Sequence, residues 1–548
     1  MRVLIIGGGT AGLSTATRLR RLDENAEIVI FEKDDEFAVS NCGFTYYLSG
    51  IVKDKQELIG ASVESMRQMY NVEVRLNHEV TAINRKEKTI SVEGKEDEPY
   101  DKLVLAIGAY QLRPDIDGVL SDNIFTINNL ASVERIKDYI KYNGAKNILI
   151  IGGGPIGVEA AEALTLLKLN PVIIEASDHI ISFFDADMAA GLQNELRAKG
   201  VKLFLNDKVE RFEEKKAVLA SGAELPYDMA IIATGVKPDV KLPVLADLEI
   251  GESGGIKVNE HMQTSDKDIY AVGDTVEVTN FFTRQKERIS HAGLALKQAR
   301  TAADNLGGIS SKFRPVVPSA AVKIFDLEAC SAGITETKLK KLNLPYRKIH
   351  LWAASTSGYY PNSEMMLFKM LFDGSGSILG IQAVGKNGVD KRLDVVMSYI
   401  QNNKTVFDLI DAEILYAPPF AVARDAVNSL GAGAASLLKG SEKLFYAEDA
   451  DFEYPDREIM LIDVRPPEQF AQGHLPNAVN LPTEAIRSNL DSVPHNKKVI
   501  LYCNHGRKAY LSAKILQNRG FDNIYVLSGG SALYRQIEED KQSRLEPR

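Results

Sequence analysis

Two cysteines stand where a thiol could do chemistry. Cys42 lies in Val39-Ser40-Asn41-Cys42-Gly43-Phe44, after an apolar run that ends in Glu32, and opens what reads as a helix or turn. A helix N-terminus there would lower the thiol pKa and make a nucleophile; without such help a lone cysteine is an inert small hydrophobe. Cys503 closes the strand-like run from Lys498 and begins Cys503-Asn504-His505-Gly506-Arg507-Lys508, with helical character from Ala509 to Asn518. Successive backbone N–H groups in such a loop form an anion nest, and the helix dipole, Arg507 and Lys508 add positive potential. That environment stabilises a thiolate and its persulfide. Cys330 has no charged pattern around it and reads as structural.

Two further segments could hold phosphates. Val3-Leu4-Ile5-Ile6 leads into Gly7-Gly8-Gly9-Thr10-Ala11-Gly12, and Ile148-Leu149-Ile150-Ile151 into Gly152-Gly153-Gly154-Pro155-Ile156-Gly157. A lone glycine triplet of this kind is only a tight turn. Here both copies follow a strand, open a helix and are completed about 20 positions on by an acidic residue, as a dinucleotide site requires. Gly7, Gly9, Ala11 and Gly12 would face one pyrophosphate and Gly152, Gly154, Ile156 and Gly157 the other, each at a helix N-terminus. Glu32, with Lys33 beside it, and Glu175 would meet the ribose; a carboxylate repels a 2′-phosphate, so Glu175 favours NADH over NADPH.

The elements that must position these groups follow from pattern. Further strands end in Gly108, Gly235 and Gly273-Asp274. From about Phe313 to Ala435 alternating strands and amphipathic helices suggest a separate α+β domain, and the small-residue stretch from Gly431 through Ser441 reads as a linker. The last hundred or so residues carry their own strand–helix pattern, long enough for an independent core.

The 548 residues suggest three or four domains at about 150 residues each. With 45% hydrophobic and 25% charged residues, disorder and a collagen-like fibre are excluded. A net charge of −9 provides no global basic field for nucleic acid or an anionic membrane, so an anionic ligand must meet a local basic patch. Three cysteines cannot build a disulfide framework and fit a reducing cytosol. No apolar run reaches the roughly 18 residues of a membrane span, and the immediate N-terminal strand leaves no room for a signal peptide. No metal site is expected.

Two glycine units plus Val272-Gly273-Asp274 resemble the two-dinucleotide-binding flavoproteins related to glutathione reductase, over roughly residues 1–435. The resemblance implies FAD on the first unit, NAD(P)H on the second, and Asp274 on the FAD ribityl chain. It also implies that Cys42 is the redox cysteine against the flavin. The disulfide reductases of this family pair it with a second cysteine, and at the matching position this chain has Tyr47. Cys42 would then cycle through a mixed disulfide, a persulfide or a sulfenate. In the single-cysteine branch, NADH oxidases and peroxidases carry a histidine where this chain has Thr10. Gly358-Tyr359-Tyr360-Pro361-Asn362 and Tyr416-Ala417-Pro418-Pro419 instead look like the tyrosine motifs of coenzyme A disulfide reductases, in which each tyrosine reaches the cysteine of the opposite subunit. Tyr360 and Tyr416 would donate to a Cys42 thiolate. Coenzyme A needs cations for its phosphates, and Arg18, Arg20 and Arg21 on the first helix, with Arg67, offer them beside Ser40 and Asn41.

The final hundred residues resemble a rhodanese domain through Leu461-Ile462-Asp463-Val464-Arg465, Glu468 and Gly473-His474-Leu475-Pro476-Asn477-Ala478. The six-residue loop from Cys503 to Lys508 matches sulfur-transferring members, and His474 is a fold residue. The expected fold is α/β: an FAD domain at 1–112 and 243–312, an NAD(P)H domain at 113–242, an α+β dimerisation domain at 313–437, a linker at 438–450 and an α/β rhodanese domain at 451–548. The expected protein is a cytoplasmic homodimer that reduces coenzyme A disulfide, coenzyme A persulfide or polysulfide with NAD(P)H, with Cys503 relaying sulfane sulfur. The rivals are a sulfur carrier or redox sensor, and an NADH oxidase.

Overall fold

The computed structural model describes residues 1–449, 452 and 458–545. The expected start of the last domain at 451, the end of the expected linker at 450 and the terminal residues 546–548 lie outside the described residues. The chain forms two compact units, Met1–Ala176 with Asp207–Pro318, and Ser177–Asn206 with Ser319–Arg548.

The first unit contains both glycine-rich turns. Its first parallel sheet runs in the order Ile269–Ala271, Lys102–Leu105, Arg2–Ile6, Glu27–Phe31, Glu73–Arg75. Its second contains Asn170–Glu175, Asn147–Ile151, Met229–Ile232 and Ile124–Thr126, again parallel neighbours. The β-branched runs are buried on both faces, as parallel strands between helices must be. In each sheet the chain leaves the central strand, turns through the glycines and enters a helix, Thr10–Arg20 or Pro155–Leu166.

The second unit holds two sheets. The strands Ser319–Ile324, Leu327–Gly333, Ile378–Gly385, Met365–Phe372 and Arg347–Ala354 form an antiparallel sheet in that order. A parallel sheet follows, in the order Leu444–Phe445, Ile524–Leu527, Lys498–Tyr502, Ile459–Asp463, Val479–Asn480. Lys369, on the antiparallel sheet and 1% exposed, reaches Asp187 at 2.9 Å, Asp185 at 3.2 Å and Glu336 at 2.6 Å. Burial alone would raise the Asp187 carboxyl, but Lys369 and His350 hold it well below the usual carboxylate range. Such a cluster withstands burial because every charge has a partner.

The expected linker is corrected by this packing. Gly431 and Gly433 lie inside the helix Ala426–Leu438, and Leu444–Phe445 is a sheet strand. A Cβ on Gly431 would come within 2.7 Å of the Val406 carbonyl oxygen, and one on Gly433 within 2.5 Å of Ile349 Cδ1. The small residues allow close helix packing rather than flexibility.

Candidate functional site

The two glycine turns separate what the protein needs from what a ligand needs. Gly7 has φ +102°, and a Cβ there would lie 2.3 Å from the Ala106 carbonyl oxygen; one on Gly12 would lie 2.0 Å from that of Gly7. These glycines are demanded by the fold. Gly9 is not: its φ of −71° suits any residue, and nothing lies within 4 Å of a Cβ built on it. The second turn repeats the pattern, with Gly152 at φ +114° and Gly157 pressed against Gly152, while Gly154 at φ −72° faces open space. Neither helix has a side-chain cap. Each turn therefore leaves a bare backbone cradle at a helix N-terminus, which fits a pyrophosphate.

The carboxylates complete both cradles. Glu32 Oε2 accepts from the Gly8 N–H at 2.8 Å and Oε1 from Asp34 N–H at 3.0 Å; Glu175 Oε2 accepts from Gly153 N–H at 2.6 Å. Both are held at a strand end beside their glycine turn, and Lys33 is exposed next to Glu32. Gly273 donates to Gln298 Oε1 at 2.7 Å, and a Cβ on it would lie 3.2 Å from Ala11 Cβ, so Gly273, which precedes Asp274, lies against the start of the first helix. Burial raises the Asp274 carboxyl, opposed by His291. The residues fit a dinucleotide in each cradle, with Asp274 added at the first alone.

Cys42 occupies the three-residue 3-10 turn Asn41–Gly43, is solvent-accessible, and precedes the short helix Phe44–Ser49. The expected pKa lowering does not occur. Desolvation pushes the thiol up, and the Glu159 and Asp274 carboxylates push it further. A turn this short has little dipole to set against two nearby negative charges. Glu159 was not found by sequence reasoning. It stands on the second glycine helix, accepts from Thr45 Oγ1 at 3.0 Å, and is itself raised by burial. Its only sequence signal is an acid in the Ala-rich run Gly157-Val158-Glu159-Ala160-Ala161. Tyr47 is buried with its hydroxyl on Glu134.

The arginine cluster does not form the expected open clamp. Arg18 is engaged by Asp304 through Nε at 2.8 Å and Nη2 at 2.7 Å. Arg20 is buried and donates to the carbonyls of Tyr70, Asp23, Glu24, Ala26 and Asn71. Arg67 pairs with Glu64 at 3.0 Å, while Arg21, Ser40 and Asn41 are exposed.

In the second unit the two tyrosine segments meet. Ser357 N–H donates to the Pro418 carbonyl at 3.3 Å, and Arg392 joins the Ser355 and Phe420 carbonyls to Asp425. Tyr360 and Tyr416 stand 39% and 50% exposed on this joined surface. Cys330 is buried in a strand, its thiol pushed up to about 12 by burial first and then by Asp390, as suits a structural cysteine.

Cys503 is buried at the end of Lys498–Tyr502. Its carbonyl accepts from Ser531 N–H at 3.0 Å, and Asn504 Oδ1 accepts from Arg465 Nη1 at 3.1 Å. Arg465 is locked in turn by Asp463 at 2.6 Å and the Gly473 carbonyl at 2.7 Å, a role that motif matching alone did not reveal. Gly506, at φ +87°, starts the helix Arg507–Gln517, so Arg507 and Lys508 are its first residues rather than loop. Lys508 reaches Glu484 at 3.3 Å. Burial lowers the His505 imidazole below its ordinary value. His474 stacks on Phe470 at 3.9 Å, consistent with a fold residue.

Residues 1–299 match the pyridine nucleotide-disulphide oxidoreductase family, 319–426 its dimerisation domain and 447–536 the rhodanese-like domain. A solved structure of reduced CoADR-RHD from Bacillus anthracis is 36% identical, with TM-score 0.95 over 98% of both chains. A NAD-dependent persulfide reductase from A. fulgidus is 33% identical, with TM-score 0.92 over 97% of this chain and 100% of that one. An NADH oxidase of Methanocaldococcus jannaschii is 34% identical over 78% of this chain and 97% of its own. No helix among the described residues is long and apolar enough to cross a membrane. The chain belongs to the pyridine nucleotide-disulphide oxidoreductases, with a rhodanese-like domain at its C-terminal end.

Proposed function

We propose that this protein is a homodimeric FAD enzyme of the cytosol that uses NADH or NADPH to reduce coenzyme A disulfide, coenzyme A persulfide or polysulfide. FAD would lie on residues 1–112 and 243–312, held by Gly7, Gly9, Ala11, Gly12, Glu32, Lys33, Gly273 and Asp274. The nicotinamide coenzyme would lie on 113–242, held by Gly152, Gly154, Ile156, Gly157 and Glu175. The dimer would be built on 313–437. When bound, FAD supplies a two-electron link between the nicotinamide and a sulfur–sulfur bond.

The observation that carries this reading is the pairing of thiols in one chain. Cys42 has no cysteine partner at Tyr47, so it would meet an external sulfur; Cys503 sits buried between a strand and the helix Arg507–Gln517, where it would hold sulfane sulfur. The Cys42 thiolate attacks a coenzyme A disulfide, forming a mixed disulfide and expelling one thiolate. Two electrons and a proton then release the second thiol and restore the Cys42 thiolate. Tyr360 and Tyr416 from the opposite subunit would steady that thiolate, offsetting the carboxylates that raise its pKa. Arg18, Arg21, Arg67, Ser40 and Asn41 would receive coenzyme A, Arg18 by exchanging Asp304 for phosphate. Cys503 captures sulfane sulfur and hands it to the coenzyme A thiol or toward Cys42.

Steady NADH oxidation tests the reading. With polysulfide or coenzyme A disulfide as acceptor, many turnovers are expected under anaerobic conditions. Arrest after one equivalent would make the protein a carrier or sensor. Turnover that needs oxygen and ignores disulfides would make it an oxidase, as the name of the M. jannaschii relative suggests; Thr10, where the oxidases of the family keep a histidine, speaks against that.

A further inference from the structure

The strand Arg347–Ala354 is the edge of the antiparallel sheet, and its exposed side is taken up by the rhodanese-like domain and the segment leading into it. Tyr446 donates its hydroxyl to the Lys348 carbonyl at 2.9 Å. Ser528 Oγ lies 3.3 Å from the His350 backbone nitrogen and 2.9 Å from its Nδ1. Trp352 donates from Nε1 to the Gly529 carbonyl at 2.9 Å, and its ring lies 5.2 Å from that of His505. The next residue, Gly530, has φ +62°, and a Cβ there would lie 2.4 Å from the Asn504 carbonyl oxygen and 2.5 Å from that of Cys503. Trp352 therefore touches the sulfur loop twice, directly through His505 and through the Gly529–Ser531 backbone that holds the Cys503 carbonyl. The last helix, Gly530–Leu545, is anchored at its far end by Asp540, which accepts from Gln193 and Arg197 at 2.7 Å each.

We propose that Trp352 is a positioning residue for sulfur transfer at Cys503, so that the rhodanese loop is completed by a side chain of the dimerisation domain. The inference rests on the sulfur-relay reading of Cys503. In that reaction the Cys503 thiolate takes the outer sulfur of thiosulfate. The thiosulfate S–S bond breaks, sulfite leaves, and a persulfide forms. An acceptor thiolate then takes the terminal sulfur, leaves as a persulfide and restores the Cys503 thiolate, with no net electron flow from the nicotinamide. Every step requires the loop N–H groups to face the sulfur, and a displacement of about 1 Å in such a site can cost up to a hundredfold in rate.

The test compares the holoenzyme with Trp352→Ala, Trp352→Phe and Cys503→Ser variants. Sulfite release from thiosulfate with coenzyme A thiol as acceptor and NADH-driven reduction of coenzyme A disulfide are measured on each, and tryptophan emission with and without thiosulfate on the unmodified protein and Cys503→Ser. Trp352 is the chain's one tryptophan, so the emission reports this position alone. Sulfur transfer should fall on the order of tenfold in Trp352→Ala and about threefold in Trp352→Phe, which keeps a ring but loses the Gly529 bond. The fall should lie in kcat rather than in KM for thiosulfate, and coenzyme A disulfide reduction should change less than about twofold. Emission should respond to thiosulfate in the unmodified protein and not in Cys503→Ser. Unchanged sulfur transfer in both Trp352 variants, or equal loss of both reactions, would overturn the positioning role while leaving the relay intact. Absence of sulfur transfer in the unmodified protein would remove the relay reading and this inference together.

Discussion

The two thiols stand in opposite surroundings. Cys503 is buried, and everything that shapes its loop is local or docked upon it: Gly506 turns the chain into a helix, Arg465 ties down Asn504, and Ser531 holds the Cys503 carbonyl. Cys42 is accessible on a three-residue turn, and its own unit places Glu159 and Asp274 where they oppose ionisation. The loop of Cys503 is fixed by packing and backbone hydrogen bonds, whereas Cys42 stands open beside two carboxylates.

Removing each thiol gives the sharpest contrast. Cys42→Ser should retain FAD, seen in the visible absorbance, and lose NADH-driven reduction of coenzyme A disulfide and persulfide by on the order of a thousandfold or more, since hydroxyl cannot replace thiolate. Substantial turnover with either substrate would break the comparison by removing Cys42 from the reaction. Cys503→Ser should lower sulfur transfer from thiosulfate at least about a hundredfold and leave coenzyme A disulfide reduction within about twofold. Equal loss on both assays would mean that the rhodanese-like domain supports the reductase only as structure.

The smallest effect probes the electrostatics of Cys42. Glu159→Gln removes a negative charge that favours the protonated thiol. The Cys42 pKa should therefore fall, the thiolate should persist to lower pH, and the pH profile of Cys42 alkylation should move toward acid. An unmoved profile would show that Glu159 does not govern this thiol.

Much of the site could be read before folding. The glycines, Glu32, Glu175, Asp274 and the Cys503 loop sit at offsets dictated by strand–turn–helix geometry, so local pattern places them. Around Gly431 small residues favour both flexible chain and close packing, and only the neighbours Val406 and Ile349 distinguish the two. Whether a guanidinium is available likewise depends on partners such as Asp304, far away in sequence.

The sequence by itself determined which groups the chain can offer: two glycine cradles at helix N-termini, a thiol at Cys42 with Tyr47 where a second cysteine would stand, and a strand–loop–helix at Cys503. These depend on residues within a few turns of one another, where backbone geometry leaves little choice. Tertiary structure alone decided the balance of charge at Cys42 and the docking that ties Trp352 to the Cys503 loop. Pair interactions between groups distant in the chain set both, and no local periodicity encodes which carboxylate or which indole will arrive.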